Sequence, residues 1–343
     1  MTKIAIVILN WNGKHHLEKF LPSVIKNNIV GAAIYVADNA STDDSVDFLK
    51  KSFPEVKIIQ NSSNDGFAKG YNQALKYIKA EFYVLLNSDV EVTDGWIEPV
   101  ISLMEKDKNI AACQPKIRSY NQKEFFEHAG AAGGFIDRFG YPFCRGRVFL
   151  TTEKDNGQYD DIREIFWATG ACMFIRAECF WKVNGFDEDF FAHMEEIDLC
   201  WRLKNKGHSI YYTPYSTVYH LGGGTLNYKS PRKTFLNFRN SLYMLYKNLP
   251  KKKVFPLLLM RLILDGVAGL KFLFEGNLNH FIAVIEAHLS FYSNFFKFRK
   301  KRIRNLNPVN NISGIYNGSI IINYYFKNLK KFSDFSIIAI ICC

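Results

Sequence analysis

The sequence predicts a layered α/β domain built on a largely parallel sheet. Short apolar runs alternate with stretches of helical periodicity in the first 90 residues, and this alternation is typical of parallel strands joined by helices. The strand-like runs are residues 4–9, 34–37, 56–59 and 82–86. Polar residues follow each run. Since ligands of open α/β sheets bind at the carboxyl ends of the strands, we expect a binding site there.

The helices follow from the spacing of apolar residues. Leu17, Phe20, Leu21, Val24 and Ile25 follow the spacing of one buried helical face. Further helices are predicted at residues 45–53, 66–78 and 96–104 and from Glu195 onward, and further strands at residues 172–176 and 209–212. Between residues 110 and 165 glycines are interspersed among aromatics, and this pattern predicts short strands and loops.

Composition is that of a globular protein, but charge is distributed unevenly. The 343 residues are 48% hydrophobic and 22% charged, which is enough apolar material for a sizeable core. Residues 229–304 contain 16 Lys and Arg and 3 Asp and Glu, a net charge of +13. Residues 1–228 contain 25 Lys and Arg and 29 Asp and Glu, a net charge of −4. We therefore separate a basic region, 229–304, and a tail, 305–343, from the first 228 residues.

The cysteines and the N-terminal sequence indicate the cellular compartment of the protein. Seven cysteines without a CxxC pair or regular spacing argue against a disulfide framework and indicate a reducing environment. The apolar run at residues 4–9 is too short for the hydrophobic region of a signal peptide. We therefore expect a cytoplasmic protein.

The basic region contains an apolar stretch, residues 254–274, that is almost long enough to cross a bilayer. Arg261, Asp265 and Lys271 interrupt it, so an amphipathic helix on a membrane surface fits better than a spanning helix. A soluble helical bundle packed on the first domain is an alternative. A nucleic-acid-binding region is another, because aromatic residues are interleaved with the Lys and Arg.

Four polar stretches carry the candidate chemistry: Asp-Asn-Ala-Ser-Thr-Asp at 38–43, residues 64–72, Asn-Ser-Asp-Val-Glu at 87–91, and Glu-Glu-Ile-Asp-Leu-Cys-Trp-Arg at 195–202. Asp89 and Glu91 offer the oxygen ligands that hard divalent cations prefer. Glu195 and Glu196 diverge by about 100° if they open a helix, so they face different directions. Taken singly, each stretch also has a structural explanation as a turn, a cap or a complement to a helix dipole.

In this order the four stretches resemble the family-2 glycosyltransferases, over residues 3 to about 225. The resemblance implies the GT-A fold, a Rossmann-like, nucleotide-sugar-binding mixed sheet flanked by helices, here with a basic helical appendage. It implies a nucleotide-binding half, 1–109, and an acceptor and catalytic half, 110–228. It also implies inverting, metal-dependent transfer from a UDP- or dTDP-sugar to a hydroxyl of a lipid-linked or polysaccharide acceptor. With the basic amphipathic region, we expect this transfer at the inner face of the cell membrane. Similarity to the rhamnosyltransferase-like branch suggests dTDP-rhamnose.

Roles for single residues follow from the same resemblance. Asp38 contacts the base, Asp89 is the main ligand of Mn²⁺ or Mg²⁺, and His220 completes the metal site. Glu196 is the general base and Glu195 its acidic neighbour. Other expected nucleotide-binding residues are Asn10, Asn12, Asn64, Gly66, Asn72, Asn87 and Ser88. Trp167, Gly170 and Asp198 are expected at the donor-sugar and acceptor pocket, although the four-residue spacing of Asp198 and Arg202 also suits an ion pair.

One departure from the family pattern leaves a further alternative open. Asn87 stands where the family's DxD motif has its first Asp. The loss of that carboxylate would weaken metal binding, so a nucleotide-sugar binder that has lost catalysis is a third candidate.

Overall fold

A nine-stranded mixed sheet forms the centre of the molecule, in a computed structural model that describes residues 2–222, 230–305 and 312–335. Its first strands are β1 (Thr2–Asn10), β2 (Ala32–Asp38), β3 (Lys57–Gln60), β4 (Ala80–Asn87), β5 (Val90–Val92) and β6 (Ile110–Ser119). A smaller sheet begins with β7 (Gly134–Asp137), β8 (Pro142–Cys144), β9 (Arg147–Val148) and β10 (Thr151–Thr152). The large sheet is completed by β11 (Arg163–Ile165), β12 (Cys172–Arg176) and β13 (Ser209–His220).

The topology confirms the predicted α/β class. The strand order is β11-β13-β6-β12-β4-β1-β2-β3, and β5 pairs with β13. β1 is parallel to β2 and β4, and β2 is parallel to β3, whereas β12 runs antiparallel to β4 and β6. In this register Asn10 is opposite Asp38, and Asn87 is opposite Leu9. The polar ends of three strands therefore lie at one edge of the sheet.

Helices cover both faces of the sheet because the strands are apolar on both faces. Ile4, Ile6 and Ile8 of β1 belong to one core, and the intervening Ala5 and Val7 belong to the other. The helices are α1 (Lys14–Lys26), α2 (Ser45–Ser52), α3 (Gly66–Leu75), α4 (Glu98–Lys106), α5 (Ala177–Lys182) and α6 (Glu195–Asn205). Four of the five predicted apolar positions of α1 are buried, and Ile25 is partly buried against the same core, which confirms that helical face.

The C-terminal tail contributes to the second sheet. β14 (Ile315–Tyr316) pairs in parallel with β7, in the order β10-β9-β8-β7-β14. Phe332 and Phe335 then pack against Phe143, with ring centroids 5.9 and 5.8 Å away. The described part of the tail is therefore built into the smaller sheet, while its apolar end, 336–343, lies outside the described residues.

Four helices form the basic region: α7 (Pro231–Asn248), α8 (Lys251–Phe274), α9 (Leu278–Ser293) and α10 (Phe295–Asn305). The last nine residues of α7, from Asn240 to Asn248, are buried, and the helix packs against α6. α7 is thus part of the domain core rather than an appendage. The predicted boundary at residue 228 lies outside the described residues. In the part of the chain that the structure describes, no helix has both the length and the apolar character needed to cross a membrane.

A buried ion-pair network joins α7 to α6. The Lys247 ammonium lies 2.5 Å from Asp187 and 2.9 Å from Asp198. Asp198 also accepts hydrogen bonds from Arg202 and Asn248, each at 2.8 Å. The ion pair between Asp198 and Arg202 that their spacing suggests is confirmed. Because burying a charge is costly unless it is paired, these contacts fix the relative position of the two helices.

α10 extends this network to the segment that precedes α6. Lys301 of α10 contacts the carboxylates of Asp187 and Asp189. Burial alone would raise the pKa of Asp187, but Lys247 and Lys301 hold that pKa well below its ordinary value. A carboxylate with a lowered pKa stabilises the folded state above its unfolded pKa, and that contribution is lost as the pH falls towards the folded value.

The network predicts a large effect of one α7 substitution. Lys247→Met removes the charge that Asp187 and Asp198 share, so we expect the free energy of unfolding to fall by about 3–5 kcal/mol. The measurement is urea unfolding followed by circular dichroism. The exposed Lys251, at the start of α8, provides the control, since Lys251→Met should change the same free energy by less than about 0.5 kcal/mol. Equal losses in the two variants would contradict a structural role for the network.

Candidate functional site

The ends of β1 and β2 form a polar pocket. The side-chain amide of Asn10 donates to Asp38 Oδ1 at 3.0 Å, and both residues are buried. The Ser41 hydroxyl and backbone amide donate to the same carboxylate at 2.6 and 2.9 Å. Asn10 Oδ1 is buried and accepts no hydrogen bond from the described residues. Ser88 lies close by, since both Asn10 and Ser88 adjoin the position that a Cβ on Gly13 would take.

Asn12 and Asn64 shape the loops beside this pocket. Asn12 has a left-handed φ of 49°, and its Oδ1 accepts from the backbone amide of Thr42 at 2.7 Å. Asn64 Oδ1 accepts from the Asn39 side chain at 3.1 Å and from the Gly66 amide at 3.2 Å. Both Asn side chains therefore brace backbone that borders the pocket.

Gly66 allows the segment before α6 to approach α3. Its φ is +88°, and a Cβ there would lie 2.6 Å from Phe191, so both the backbone conformation and the close contact require glycine. The Ala68 amide also donates to the Phe191 carbonyl at 3.3 Å. Gly66 therefore lies against Phe191, whereas we expected it to let the backbone approach the nucleotide.

Asn72 has a structural role, which corrects the expectation that it binds the nucleotide. Its side-chain amide donates to the Phe186 carbonyl at 2.9 Å and to the Glu188 carboxylate at 3.1 Å. Its Oδ1 accepts from the Phe186 amide at 3.0 Å. Since both ends of the buried amide are engaged, Asn72 ties α3 to the loop ahead of α6.

Asp89 and His220 meet where β5 pairs with the end of β13. His220 Nε2 lies 3.2 Å from Asp89 Oδ1 and 3.4 Å from Asn87 Nδ2. His220 Nδ1 lies 3.0 Å from Glu127 Oε2, and Asp89, Glu127 and His220 are all buried. Sequence reasoning missed Glu127, because it stands in the irregular region where neither periodicity nor a motif marks it.

The carboxylates of Asp89 and Glu127 favour a positive charge on the His220 ring that lies between them. Burial alone would lower the pKa of His220, but Asp89 and Glu127 raise it to about 10. Burial would likewise raise the pKa values of Asp89 and Glu127, and His220 lowers both. The site therefore accommodates a buried positive charge at neutral pH.

The same arrangement fits a divalent cation. Histidines that ligate metals usually direct the second ring nitrogen at a carboxylate, and Glu127 takes that place while Nε2 faces Asp89. Among the described residues no group of three or more His, Cys, Asp and Glu side chains could hold an ion. A cation here would therefore depend on phosphate or water oxygens for its remaining ligands, as Mg²⁺ commonly does.

Glu195 and Glu196 open α6 with unpaired carboxylate oxygens. Oε2 of each is buried and has no hydrogen-bond partner among the described residues. Burial raises the pKa of Glu196 to about 7. Burial, followed by the charge of Glu196, raises the pKa of Glu195 well above its ordinary value. Near neutral pH Glu196 can thus exchange a proton, and burial favours the protonated form of Glu195.

The backbone before α6 is strained and held by α7. Phe191, His193 and Met194 have left-handed φ values of 64°, 69° and 71°, and such conformations persist only when the surroundings fix them. The buried Asn240 Nδ2 lies 2.8 to 2.9 Å from three carbonyl oxygens between Phe190 and His193. Asn240 thereby sets the path of the chain into Glu195 and Glu196. No motif marked Asn240 in the sequence.

Trp167 and Asp198, which we expected at the donor-sugar and acceptor pocket, lie in the protein interior. This position corrects their assignment. Trp167 is buried, and its indole N–H donates to the Phe135 carbonyl at 2.9 Å. Asp198 is fully buried in the network with Lys247. Neither side chain is available to a sugar in this arrangement.

Gly170 has a protein neighbour as well. A Cβ there would lie 3.0 Å from the Phe67 ring, so this glycine makes room for Phe67. The preceding Ala168 amide donates to Cys200 Sγ at 3.5 Å. Since Cys200 lies one turn after Glu196, this contact sets the 168–170 segment against the helix that carries the acidic pair.

Comparison with known proteins assigns the family. The model of the family Glycosyl transferase family 2 matches residues 5–183. The chain is 24% identical over 232 residues to N-acetylglucosaminyl-diphospho-decaprenol L-rhamnosyltransferase of Mycobacterium tuberculosis, over 63% of this chain and 75% of the relative. It is 26% identical over 156 residues to rhamnosyltransferase WbbL of Escherichia coli, over 43% of this chain and 58% of the relative.

Solved structures show the same fold. The mannosyltransferase PcManGT of Pyrobaculum calidifontis, solved with GDP-Man and Mn²⁺, superposes with a TM-score of 0.51 at 13% identity, over 88% of this chain and 84% of that one. GalNAc-T7, solved with UDP, GalNAc and Mn²⁺, superposes with a TM-score of 0.54 at 18% identity over 72% of this chain, which spans about half (48%) of that chain's length. The predicted GT-A fold is confirmed. The chain belongs to glycosyl transferase family 2, and its relatives there include rhamnosyltransferases.

Proposed function

We propose that this family member is an inverting, divalent-metal-dependent transferase that moves a sugar from a UDP- or dTDP-sugar to a hydroxyl group. The observation that carries the proposal is the pairing of Asp89 with a His220 that Glu127 orients, at the same sheet edge as Asp38. The rhamnosyltransferases among the relatives support dTDP-rhamnose as the first donor to test. The name of the Mycobacterium tuberculosis relative supports a lipid-linked acceptor; a polysaccharide acceptor is the other candidate.

Recognition of the base falls to the pocket at β1 and β2. A carboxylate such as Asp38 accepts a hydrogen bond from the imide N–H of uracil or thymine. Asn10 and Ser41 already orient that carboxylate, so little reorganisation is needed when the base binds. Asn10 Oδ1 offers an additional acceptor in the same pocket.

Asp89 and His220 would hold Mn²⁺ or Mg²⁺, beside the Asn87 amide. When bound, the cation supplies positive charge that stabilises the departing nucleoside diphosphate. Glu127 is the positioning residue of this centre because it directs His220 Nε2 at Asp89. Asn87 stands where the DxD motif has its first carboxylate. The oriented imidazole of His220 therefore partly replaces that missing ligand.

Glu196 is the proposed general base. It takes the proton of the acceptor hydroxyl as that oxygen bonds to the anomeric carbon, while the bond from this carbon to the phosphate oxygen breaks and its electron pair leaves with the nucleoside diphosphate. A single displacement of this kind inverts the anomeric configuration. A pKa of about 7 suits the role, since a base is most effective when its pKa is near the working pH. The raised pKa of the neighbouring Glu195 favours its uncharged form.

We further propose a cytoplasmic location, peripheral at the inner face of the cell membrane. The net charge of +13 on residues 229–304 supports attraction to anionic lipid. Three of these cations are engaged in ion pairs within the protein, so both the attraction to lipid and the nucleic-acid alternative depend on the others. Lys247 and Arg261 are buried in ion pairs, and Lys301 is paired with Asp187 and Asp189.

Nucleotide preference tests the base pocket. We expect UDP or dTDP, each with Mn²⁺, to raise the melting temperature more than GDP or CDP, because binding at about 100 times Kd stabilises a fold by about 2.7 kcal/mol. Differential scanning fluorimetry of the full chain, with and without Mn²⁺, measures the shift. Asp38→Ala should abolish it. A GDP shift as large as the UDP and dTDP shifts would argue against the assigned pocket.

Two substitutions test the catalytic assignments. Asp89→Ala and Glu196→Gln should each lower kcat/KM at least about 100-fold, the usual contribution of a general base or a charge-stabilising group. The wild-type rate should rise with pH through about 7 as Glu196 loses its proton, and the residual rate of Glu196→Gln should not. Transfer is measured with a panel of nucleotide sugars. The exposed Asp94→Ala and Glu55→Gln are matched controls.

The outcomes separate the candidates. Full transfer by both variants would defeat the site assignment. Nucleotide binding by the wild-type chain without any turnover would favour the binder that has lost catalysis.

Asn240 should matter for rate rather than for donor binding. Asn240→Ala releases the strained segment before Glu195, and a misplacement of about 1 Å can cost about 100-fold in rate. We expect kcat to fall about 10- to 100-fold while the donor KM and the nucleotide-induced melting shift stay near the wild-type values. The exposed Asn279→Ala is the control. A lower melting temperature without any loss of kcat would show that Asn240 serves stability alone.

A further inference from the structure

The α8–α9 hairpin carries its polar side chains on the inside. Arg261 and Asp265 are buried, at 2% and 0% exposure, and form an ion pair with an N–O distance of 3.2 Å. Asp265 also lies 3.1 Å from His288 Nε2 of α9 and accepts from the Tyr141 hydroxyl at 3.0 Å. Arg261 donates to Ser241 of α7 at 2.8 Å. The charges that interrupt the apolar stretch therefore anchor the hairpin to the protein.

The outer side of the same hairpin is apolar. Residues two positions from Arg261 or Asp265 lie about 200° around the helix, so they point away from the protein. The exposed side chains there and on the matching side of α9 form what we call the apolar hairpin face: Leu259, Ile263, Val267, Ile282, Ile285 and Leu289. Between residues 254 and 270, all of which the structure describes, the charged side chains are the buried Arg261 and Asp265. On α9 the exposed Glu286 lies at the border of this face, in a pocket that Arg232 of α7 also lines.

This distribution is the reverse of that of a helix exposed to water. A surface helix normally buries its apolar stripe and exposes its charges, and contiguous exposed apolar surface marks a place where a protein meets a partner or a membrane. α8 is 24 residues long, or about 36 Å at 1.5 Å per residue. Since no described helix is suited to crossing a bilayer, the face fits a surface along which the hairpin lies flat.

The charges around the face identify its occupant as anionic lipid. Asp265 meets His288, and Gly269 adjoins Val284, so the two helices are antiparallel, and the start of α8 and the end of α9 lie at the open end of the hairpin. Lys251, Lys252 and Lys253 are exposed at the start of α8, and Arg299 and Lys300 are exposed on α10, which follows the end of α9. Basic side chains beside an apolar face are what an interfacial helix presents to anionic headgroups. A second copy on this face would instead bring two regions of net charge +13 together.

We propose that the apolar hairpin face inserts into one leaflet of an anionic membrane, with α8 and α9 parallel to its plane and the basic residues of both ends at the headgroups. The inference rests on the peripheral location in the proposed function and names the surface responsible. Binding to vesicles needs neither donor nor acceptor, so its failure and a failure of the catalytic proposal can be told apart.

Vesicle flotation of the full chain tests the inference. Vesicles of phosphatidylcholine with phosphatidylglycerol should carry the wild-type chain upward. The triple variant Leu259→Ser, Ile263→Ser, Val267→Ser should bind at least about tenfold more weakly, since each substitution removes apolar area from the buried face. The control replaces three exposed apolar residues outside the hairpin, Val30→Ser, Tyr77→Ser and Leu150→Ser, and should bind as the wild type does. Circular dichroism checks that every variant folds.

Charge is tested separately. The variant Lys251→Gln, Lys252→Gln, Lys253→Gln should bind at least about tenfold more weakly at low salt, and the difference from wild type should shrink at high salt, where surface charges are screened. Vesicles of phosphatidylcholine alone should bind the wild type more weakly than the mixed vesicles.

Three results would overturn the inference. The first is a wild-type chain that stays with the soluble fraction in the presence of mixed vesicles. The second is equal binding by the wild type and the triple Ser variant. The third is a wild-type chain that is a dimer and does not bind vesicles, together with a triple Ser variant that is a monomer. A second copy of the chain would then occupy the face. Retained vesicle binding without sugar transfer would defeat the catalytic proposal and leave this one standing.

Discussion

The buried polar contacts between α7 and the segment that leads into α6 are the constraint on which the rest of the site depends. Asn240 binds three carbonyl oxygens of a strained stretch, and Lys247 neutralises Asp187 on one side of that stretch and Asp198 on the other. Removal of such a partner leaves a buried group without compensation, so the arrangement holds as a unit. Because the stretch ends at Glu195, the C-terminal region of the chain sets the geometry of the acidic pair in the N-terminal domain.

The two buried acidic centres have opposite electrostatics because their neighbours differ. Asp89 and Glu127 share an imidazole between them, and their pKa values fall. Glu195 and Glu196 lack a cationic partner for their unpaired oxygens, and their pKa values rise. One centre is therefore suited to positive charge, as a diphosphate-binding site requires, and the other to accepting a proton. A transferase needs both properties, and desolvation combined with the choice of neighbour is sufficient to create them.

The α8–α9 hairpin connects the proposed membrane surface to the catalytic domain. Tyr141 of the acceptor half and Ser241 of α7 both bind the Arg261–Asp265 pair, so the apolar hairpin face is held rigidly relative to the catalytic domain. A protein seated on a leaflet through that face would keep its acceptor half in one orientation towards the lipid. An acceptor attached to lipid would then meet the site with little orientational freedom left to lose, which favours transfer to it.

Much of the fold was predictable because strand position and helical phase are local properties of the sequence. The apolar runs located β1 to β4, and the polar residues after them located Asp38, Asn87 and Asp89 at one edge, since parallel strands end on the same side. The partners of buried polar side chains were not predictable, because they come from elements distant in the chain. Asn72 pairs with Phe186, Asp198 with Lys247, and His220 with Glu127. The sequence by itself determined that Arg261 and Asp265 break an apolar stretch; only the tertiary structure decided that they face inward, because α7 and Tyr141 supply the partners that make their burial favourable.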